Sequence, residues 1–328
     1  YAFSETDKEH KHRGPGIEGT ASLFLNYGEV FGMSVYQFLQ FLFSLLSEES
    51  VDLANSVFIS LSKLVDLRHP DLLNFRDAII ELVEHTFELE LYEADSKSDE
   101  PTPLYVNVAC FTNAVMLIRR MIKNYKELLP EDKTKWYSIV DAFIEFPETV
   151  LQLESIKTLA YIIMDTGIEA SREALKMLVK IDYDSPVVVA EIINLFTKLI
   201  KSDIAITKKR LKTIQNASYI CFSAIEHDLP CQVELEVDHD DFQGVFDINC
   251  FRRVYDFFRA LLQTDRIPFD ISRFLNAWDN VVQESPRDEQ VAYARFLQFY
   301  VQTVDMSQNP YALVIQEVIG KIKQAGVL

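Results

Sequence analysis

The sequence predicts an all-α protein built as a superhelical stack of antiparallel helix pairs, with about 12–13 helices. From Ser34 onward, apolar residues recur at spacings of three and four, which is the period of an amphipathic helix. The 328 residues include only 9 Gly and 11 Pro, too few for the turns of a β-sandwich or barrel. A single hydrophobic core stops growing at roughly 250–300 residues. The chain is therefore expected to extend by repetition or to split into domains.

The helical pattern is clearest between Phe251 and Leu262, where apolar side chains share one face and Arg252 and Arg253 occupy the other. A stripe of this kind must be buried against another helix. Along the chain, the same period predicts helices at 34–47, 51–66, 70–92, 104–128, 131–145, 149–165, 169–182, 186–202, 206–227, 247–264, 270–284, 287–305 and 309–325.

Capping residues and prolines mark where these helices start. Ser185-Pro186, Ser285-Pro286 and Asn309-Pro310 each place a capping side chain before a proline, which is favoured at the first helical position. Asp270 is predicted to cap the helix that follows it. Because most connections are short, consecutive helices are expected to be antiparallel neighbours.

Polar segments divide the chain. The first residues are polar, glycine-rich and without a period, as in a flexible arm, and residues 92–103 are predicted to form an acidic loop. A later acidic stretch contains alternating apolar residues at 233–237, which indicates a short extended strand. The predicted organisation is a flexible N-terminal arm at 1–33, a helical-repeat region at 34–228, an acidic loop or insertion at 229–247 and a second helical-repeat region at 248–328.

The predicted helix pairs start about 36–42 residues apart in several places, which is the period of helical solenoid repeats. In this respect residues 34–325 resemble the HEAT/armadillo superfamily. Residues 187–200 (VVVAEIINLFTKLI) resemble the third helix of an armadillo repeat, with Asn194 at the position of that family's ladder asparagine. Residues 109–118 (ACFTNAVMLI) resemble the same helix less closely, with Asn113 at the corresponding position. The resemblance implies that such asparagines bind the main chain of an extended peptide in a concave groove.

The chain departs from the armadillo pattern one turn before each asparagine. Armadillo ladders carry Trp there, whereas this sequence has Ala190 and Ala109. The irregular HEAT type is therefore the closer match, and binding of a basic localisation peptide in the importin manner is not expected.

The chain is strongly acidic, with a formal net charge of −18 and a pI of about 4.8. This field disfavours binding to nucleic acid or anionic membranes, and no apolar run approaches the roughly 18–20 residues of a membrane span. The four cysteines show no CxxC spacing and are interpreted as reduced thiols, which predicts a cytoplasmic or nuclear location or both. The chain does not begin with Met, so a fragment of a longer protein is an interpretation left open.

No motif of a known catalytic or nucleotide site is present, including GxxxxGK[ST], GxGxxG, GxSxG and HExxH. We therefore predict a protein that is not an enzyme and uses no cofactor. One group, comprising His227, Cys231, Asp238, His239, Asp240 and Asp241, has the residue types of a cation site. Its acids lack the spacing of a calcium loop, so a solvated acidic loop is the preferred interpretation.

The predicted function is a scaffold or adaptor that binds another protein, and a subunit of a larger complex is an interpretation left open. The helices at 149–165, 186–202 and 206–227 are expected to line a concave face, with Lys157, Asn194, Lys198 and Asn216 as candidate contacts. A dense acidic face includes Glu81, Glu84 and Glu88 and is suited to a basic or extended segment of the partner. Solubility is the alternative explanation for these acids.

The alternative function is an RNA-associated helical-repeat module of the MIF4G or HEAT type. It would use two basic patches, formed by Arg119, Arg120, Lys123, Lys208, Lys209, Arg210 and Lys212. If acidic side chains pair with these cations, the alternative is weakened, because the cations are then not free for phosphates.

Overall fold

A computed structural model of the chain describes residues 13–27, 32–46, 51–93, 102–167, 174–175, 178, 185–202, 221, 232–239, 242–264, 269–278, 281 and 287–327. The chain divides into two compact units, residues 1–166 and 167–328. The prediction placed the break at 229–247 instead. Contacts within each unit, which sequence periodicity does not report, put the division just after a helix, where Gly167 adopts a φ of 86°.

The helices of the first unit are α1 (Arg13–Tyr27), α2 (Val35–Leu45), α3 (Val51–Leu67), α4 (Arg76–Thr86), α5 (Tyr105–Asn124), α6 (Thr134–Ala142) and α7 (Thr149–Thr166). Short 3₁₀ helices lie at Pro70–Phe75, Lys126–Leu128 and Phe143–Glu145, and the strands β1 (Tyr92–Glu93) and β2 (Thr102–Pro103) pair antiparallel. In the second unit are α8 (Pro186–Lys201), α9 (Cys250–Gln263), α10 (Ile271–Asn276), α11 (Arg287–Thr303) and α12 (Ala312–Gln324), with a 3₁₀ helix at Met306–Gln308.

The all-α prediction is confirmed: the described chain is helical apart from β1–β2 and one further strand pair. In that pair β3 (Gln232–His239) runs antiparallel to β4 (Phe242–Asn249), so the extended segment expected at 233–237 lies within β3. The predicted helix 169–182 lies mostly outside the described residues, as does 206–227. Among the helices that the structure describes, none combines the length and the apolar character needed to cross a membrane.

The N-terminal helix α1 corrects the prediction of a flexible arm up to residue 33. Ile17, Ala21 and Phe24 share one face of α1 and are buried, and α1 packs against α3. The segment is rich in glycine and its apolar residues are few, so its propensity for helix is low. Tertiary burial of one narrow stripe outweighs that propensity.

Local signals explain where α2 and α4 lie. Ser34 and Gln37 form a reciprocal capping box: the Gln37 amide donates to the Ser34 hydroxyl, and the Ser34 amide donates to the Gln37 side chain at 2.9 Å. Pro70 opens a 3₁₀ helix before α4 begins. The helix predicted to reach residue 92 ends at Thr86. Glu88 and Leu89 then donate to the carbonyls three residues before them, which forms turns, and β1 begins at Tyr92.

The second helices of successive pairs form a row in the first unit. Helix α3 packs against both α1 and α5, and α5 packs against both α3 and α7. Helix α4 contacts α5, and α6 contacts α7. Short connections favour this arrangement, because they place each helix next to the one that precedes it in the chain.

The core of the second unit is largely aromatic. The rings of Phe274 and Tyr293 stack with centroids 4.3 Å apart, and the Tyr293 hydroxyl donates to the Phe274 carbonyl at 2.6 Å. Helix α9 contacts α8 and α11. The predicted cap at Asp270 is confirmed, because its carboxylate accepts from the Arg273 amide at 3.0 Å. Helix α12 begins at Ala312, later than predicted, because the Asn309 side chain accepts from the Tyr311 amide and closes a turn first.

Candidate functional site

An open groove lined by α2 and α4 is the candidate site in the first unit. Its volume is about 560 Å³, within the range of about 300–1,000 Å³ that is usual for ligand-binding pockets. Apolar side chains, acidic side chains and one histidine line it: Phe43, Leu46, Ala78, Glu81, Leu82, Glu84, His85 and Glu88. The groove contains all three glutamates that the sequence singled out.

The helical repeat of α4 explains the acidic side of the groove. Its inner face buries Ile79, Leu82, Val83 and Thr86. Glu81 and Glu84 lie three residues apart on α4. Glu88 follows in the turn after the helix ends, where its amide donates to the His85 carbonyl at 3.1 Å, and all three glutamates line the groove. Glu81 and Glu88 are exposed, and Glu84 is half-buried.

Aromatic contacts support the apolar side of the groove. The Phe43 ring is stacked on Phe75 at a centroid distance of 5.6 Å, with 8° between the planes. Phe75 also contacts the ring of Tyr36, with 5.3 Å between the ring centroids. Tyr36 is 41% exposed. Tyr36 and Phe43 are seven residues apart, so they lie on the same face of α2. An apolar surface therefore continues from the groove along α2.

The three glutamates carry charge that the described protein does not neutralise. Glu81, Glu84 and Glu88 form no ion pair with any residue in the described ranges. Within those same ranges, no group of three or more His, Cys, Asp or Glu side chains is arranged to hold a metal ion. The arrangement suits a cationic ligand with an apolar part better than a metal ion.

The side chains predicted for a concave face are placed differently. Lys157 bonds Glu154 on the same helix, with Nζ 2.7 Å from Oε1. Asn194 is buried, donates to Glu191 at 2.7 Å and accepts from Arg253 at 2.9 Å. Lys198 is half-buried, and the other residues from 187 to 200 are buried. Asn216 lies outside the described residues.

Helices α7 and α8 therefore do not offer the open surface that was expected of them. Their side chains are buried nearly all round, with only Gln152, Lys157 and Tyr161 half-buried between residues 151 and 163. The periodicity identified these helices but could not show how many sides of each are covered. Asn113 is also buried, and its amide donates to the Asn55 side chain at 3.1 Å.

The basic patch on α5 is largely paired with acids. Arg119 lies 2.6 Å from Oε2 of the buried Glu154. Arg120 pairs with Asp66 on α3 and also donates to the Ser62 carbonyl at 3.3 Å. Lys123 is exposed. The second patch, Lys208, Lys209, Arg210 and Lys212, lies outside the described residues, as do the side chains of the His227–Asp241 group.

Asp165, near the end of α7, is the centre of another polar cluster. Burial by itself would raise the pKa of Asp165, but hydrogen bonds from Lys126 at 2.7 Å, Lys133 at 2.6 Å and Tyr137 at 3.1 Å outweigh it and lower the pKa to about 2. Burial and the Asp165 charge raise the pKa of the Tyr137 hydroxyl. These groups join α6 and the segment before it to α7, which is a structural role.

Asp141 on α6 is a titratable group of a different kind. One of its carboxylate oxygens is buried and has no hydrogen-bond partner among the described residues. Burial raises the pKa of Asp141 to about 6, because a charged carboxylate is poorly solvated there. Asp141 does not line the groove, and we assign it no binding role.

Sequence reasoning found the acidic half of the groove and missed the apolar half. Phe43 and Leu46 belong to a strongly apolar helix, so nothing local distinguishes them from core residues. The spacing of Tyr36 and Phe43 was the one available signal, because it places two aromatic rings on one face of a helix.

Comparison with known proteins gives no match: no family model, no curated protein and no solved structure is significantly similar to the chain.

Proposed function

We propose that this chain is a non-catalytic interaction module that binds a segment of a partner protein in the groove between α2 and α4. The observation that carries the proposal is an apolar groove edged by three glutamates that have no cationic partner among the described residues. Apolar contact supplies affinity at such sites, while unpaired charge supplies orientation and partner choice.

The helix contacts of the first unit support an α-solenoid of the HEAT/armadillo type as the scaffold. In such folds the second helix of each pair stacks on the second helix of the next pair. Helices α3, α5 and α7 stand in that order, with α4 and α6 beside them. The four cysteines show no CxxC spacing, and Cys110 and Cys221 are buried, which fits a reducing compartment such as the cytoplasm or nucleus.

RNA binding has less support, because two of the three cations in the α5 patch, Arg119 and Arg120, are already paired. Arg119 and Arg120 each pair with a carboxylate of a neighbouring helix. A phosphate would have to compete with partners that are already held in place, which lowers the gain from each contact.

Site-directed photo-crosslinking tests the proposal. His85, which is exposed in the groove, is replaced by the photoreactive amino acid p-benzoylphenylalanine, and Lys135, exposed on α6, is replaced in a parallel sample. After irradiation in native lysate, mass spectrometry identifies the crosslinked protein and the segment that is attached. We expect one defined segment to be crosslinked at position 85 and not at position 135.

A pair of charge-matched variants supplies the control. Glu81→Lys/Glu84→Lys/Glu88→Lys is expected to abolish the crosslink. Reversal of three exposed glutamates of the same unit outside the groove should leave it unchanged: Glu127→Lys/Glu131→Lys/Glu145→Lys. If position 85 gives no specific crosslink, or if both variants behave alike, the groove is not a binding site and the proposed function is wrong.

A further inference from the structure

We infer that the groove takes an amphipathic helix, with apolar residues along one face and Lys or Arg beside them, rather than an extended peptide or a small cation. The inference rests on the proposed function and specifies the chemistry of its partner. It depends on three features of the groove: the direction of its acidic stripe, the state of its backbone and the continuity of its apolar side.

The acidic stripe runs parallel to a helix axis. Glu81 and Glu84 lie on α4, and Glu88 lies in the turn that continues from its end, where Phe87 has a φ of −72° and a ψ of −3°. The three residues therefore span on the order of 10 Å along that direction. Cations at positions i, i+3 or i+4, and i+7 of a second helix repeat over the same distance. A helix lying along the groove can therefore meet all three carboxylates at once, whereas a single small cation can meet only part of the stripe.

The backbone of the groove leaves little for an extended peptide to bind. Extended peptides gain affinity by adding a strand to a sheet edge through main-chain hydrogen bonds. The groove is lined by residues of two helices and the turns that end them, and the amide and carbonyl groups inside a helix already bond each other. A helical partner already forms its backbone hydrogen bonds internally, so it needs no main-chain hydrogen bonds from the groove.

The apolar side matches the opposite face of such a helix. Phe43, Leu46, Ala78 and Leu82 line the groove, and the surface continues over Phe75 to the exposed ring of Tyr36. Helix-in-groove recognition uses apolar anchors at i, i+3, i+4 and i+7. The same partner helix can therefore place apolar side chains toward α2 and cations toward α4.

Binding of designed peptides tests the inference directly. The probe is a fluorescein-labelled 18-residue peptide with leucines at helical spacing and lysines flanking them. Three comparison peptides carry the same residues in scrambled order, two central prolines, or glutamate in place of lysine. Fluorescence anisotropy gives the dissociation constants, and circular dichroism reports peptide helicity on binding.

We expect the amphipathic peptide to bind at least 10-fold more tightly than the scrambled, proline and glutamate peptides and to gain helicity in the complex. Glu81→Lys/Glu84→Lys/Glu88→Lys should weaken its binding about 10-fold or more, because three attractive charge contacts are replaced by three repulsive ones. Glu127→Lys/Glu131→Lys/Glu145→Lys should not. Higher salt should weaken binding, since the carboxylates are open to solvent.

Ala78→Gln separates seating in the groove from attraction by charge alone. Ala78 lines the groove and is half-buried, so a longer uncharged side chain fills space that the peptide needs without altering charge. We expect about 10-fold weaker binding and an unchanged melting temperature.

Three outcomes would overturn the helix inference: equal binding of the proline and amphipathic peptides, no binding at 1 mM peptide, or no effect of Ala78→Gln. The crosslink at position 85 reports separately on the proposed function. A crosslinked segment that is not helical would contradict the helix inference and leave the proposed function standing.

Discussion

Replacing Arg119 by Met is expected to destabilise the first unit by about 2 kcal/mol. The Glu154 side chain is only 4% exposed and lies between two cations, Arg119 at 2.6 Å and Lys157 at 2.7 Å. Removing one partner of a fully buried ion pair costs about 3–5 kcal/mol, because the remaining charge is left without compensation. Here Lys157 stays in place and both cations are about one-fifth exposed, which reduces the expected loss.

The double variant Arg119→Met/Glu154→Leu tests whether the loss comes from the stranded carboxylate. Once that charge is gone, two apolar side chains can pack against each other, and Lys157 can extend its amine toward water. We expect the double variant to be about 1 kcal/mol more stable than Arg119→Met alone. If the lost stability came from packing around Arg119, the second substitution would add to the first.

Urea unfolding followed by tryptophan fluorescence gives these free energies. Trp136 is buried in the first unit and Trp278 in the second, so a Trp278→Phe background makes Trp136 the single reporter. Asp77→Asn is the control, because its ion pair with Arg76 involves a carboxylate that is 97% exposed and should contribute less than about 0.5 kcal/mol. A loss below about 0.5 kcal/mol for Arg119→Met, or strictly additive effects in the double variant, would refute the reasoning.

Three further predictions concern stability. Because burial holds the pKa of Asp141 at about 6, its ionisation costs stability as pH rises from about 4 to 6, and Asp141→Asn should be about 1–2 kcal/mol more stable than the parent at pH 7 but equal to it near pH 4 in urea titrations. The pKa of Asp165 is instead lowered to about 2, so Asp165→Asn should cost about 1–2 kcal/mol at pH 7 and progressively less as pH falls from about 4 toward 2; a loss independent of pH would contradict this. Ser34→Ala removes the α2 capping box and should cost about 1 kcal/mol, whereas Ser34→Asp should retain most of the stability in thermal melts.

The sequence by itself determined where most helices lie and that the chain is helical. Helix period, capping residues and prolines act within a few residues of one another, so Ser34 and Asp270 could be identified as starts without knowledge of the fold. The acidic stripe was visible for the same reason, since Glu81, Glu84 and Glu88 stand at spacings of three and four in the sequence, although α4 itself ends at Thr86.

Only the tertiary structure decided which faces meet and which charges remain free. Arg119 and Glu154 are 35 residues apart in the chain, and no local rule pairs them. The same holds for Phe43 and Ala78, which line one groove although they belong to different helices. It holds also for α1, whose weak helical propensity is outweighed by burial against α3. Burial and ion pairing depend on the distance between side chains in space. For residues far apart in the sequence, that distance is set only when the helices pack against one another.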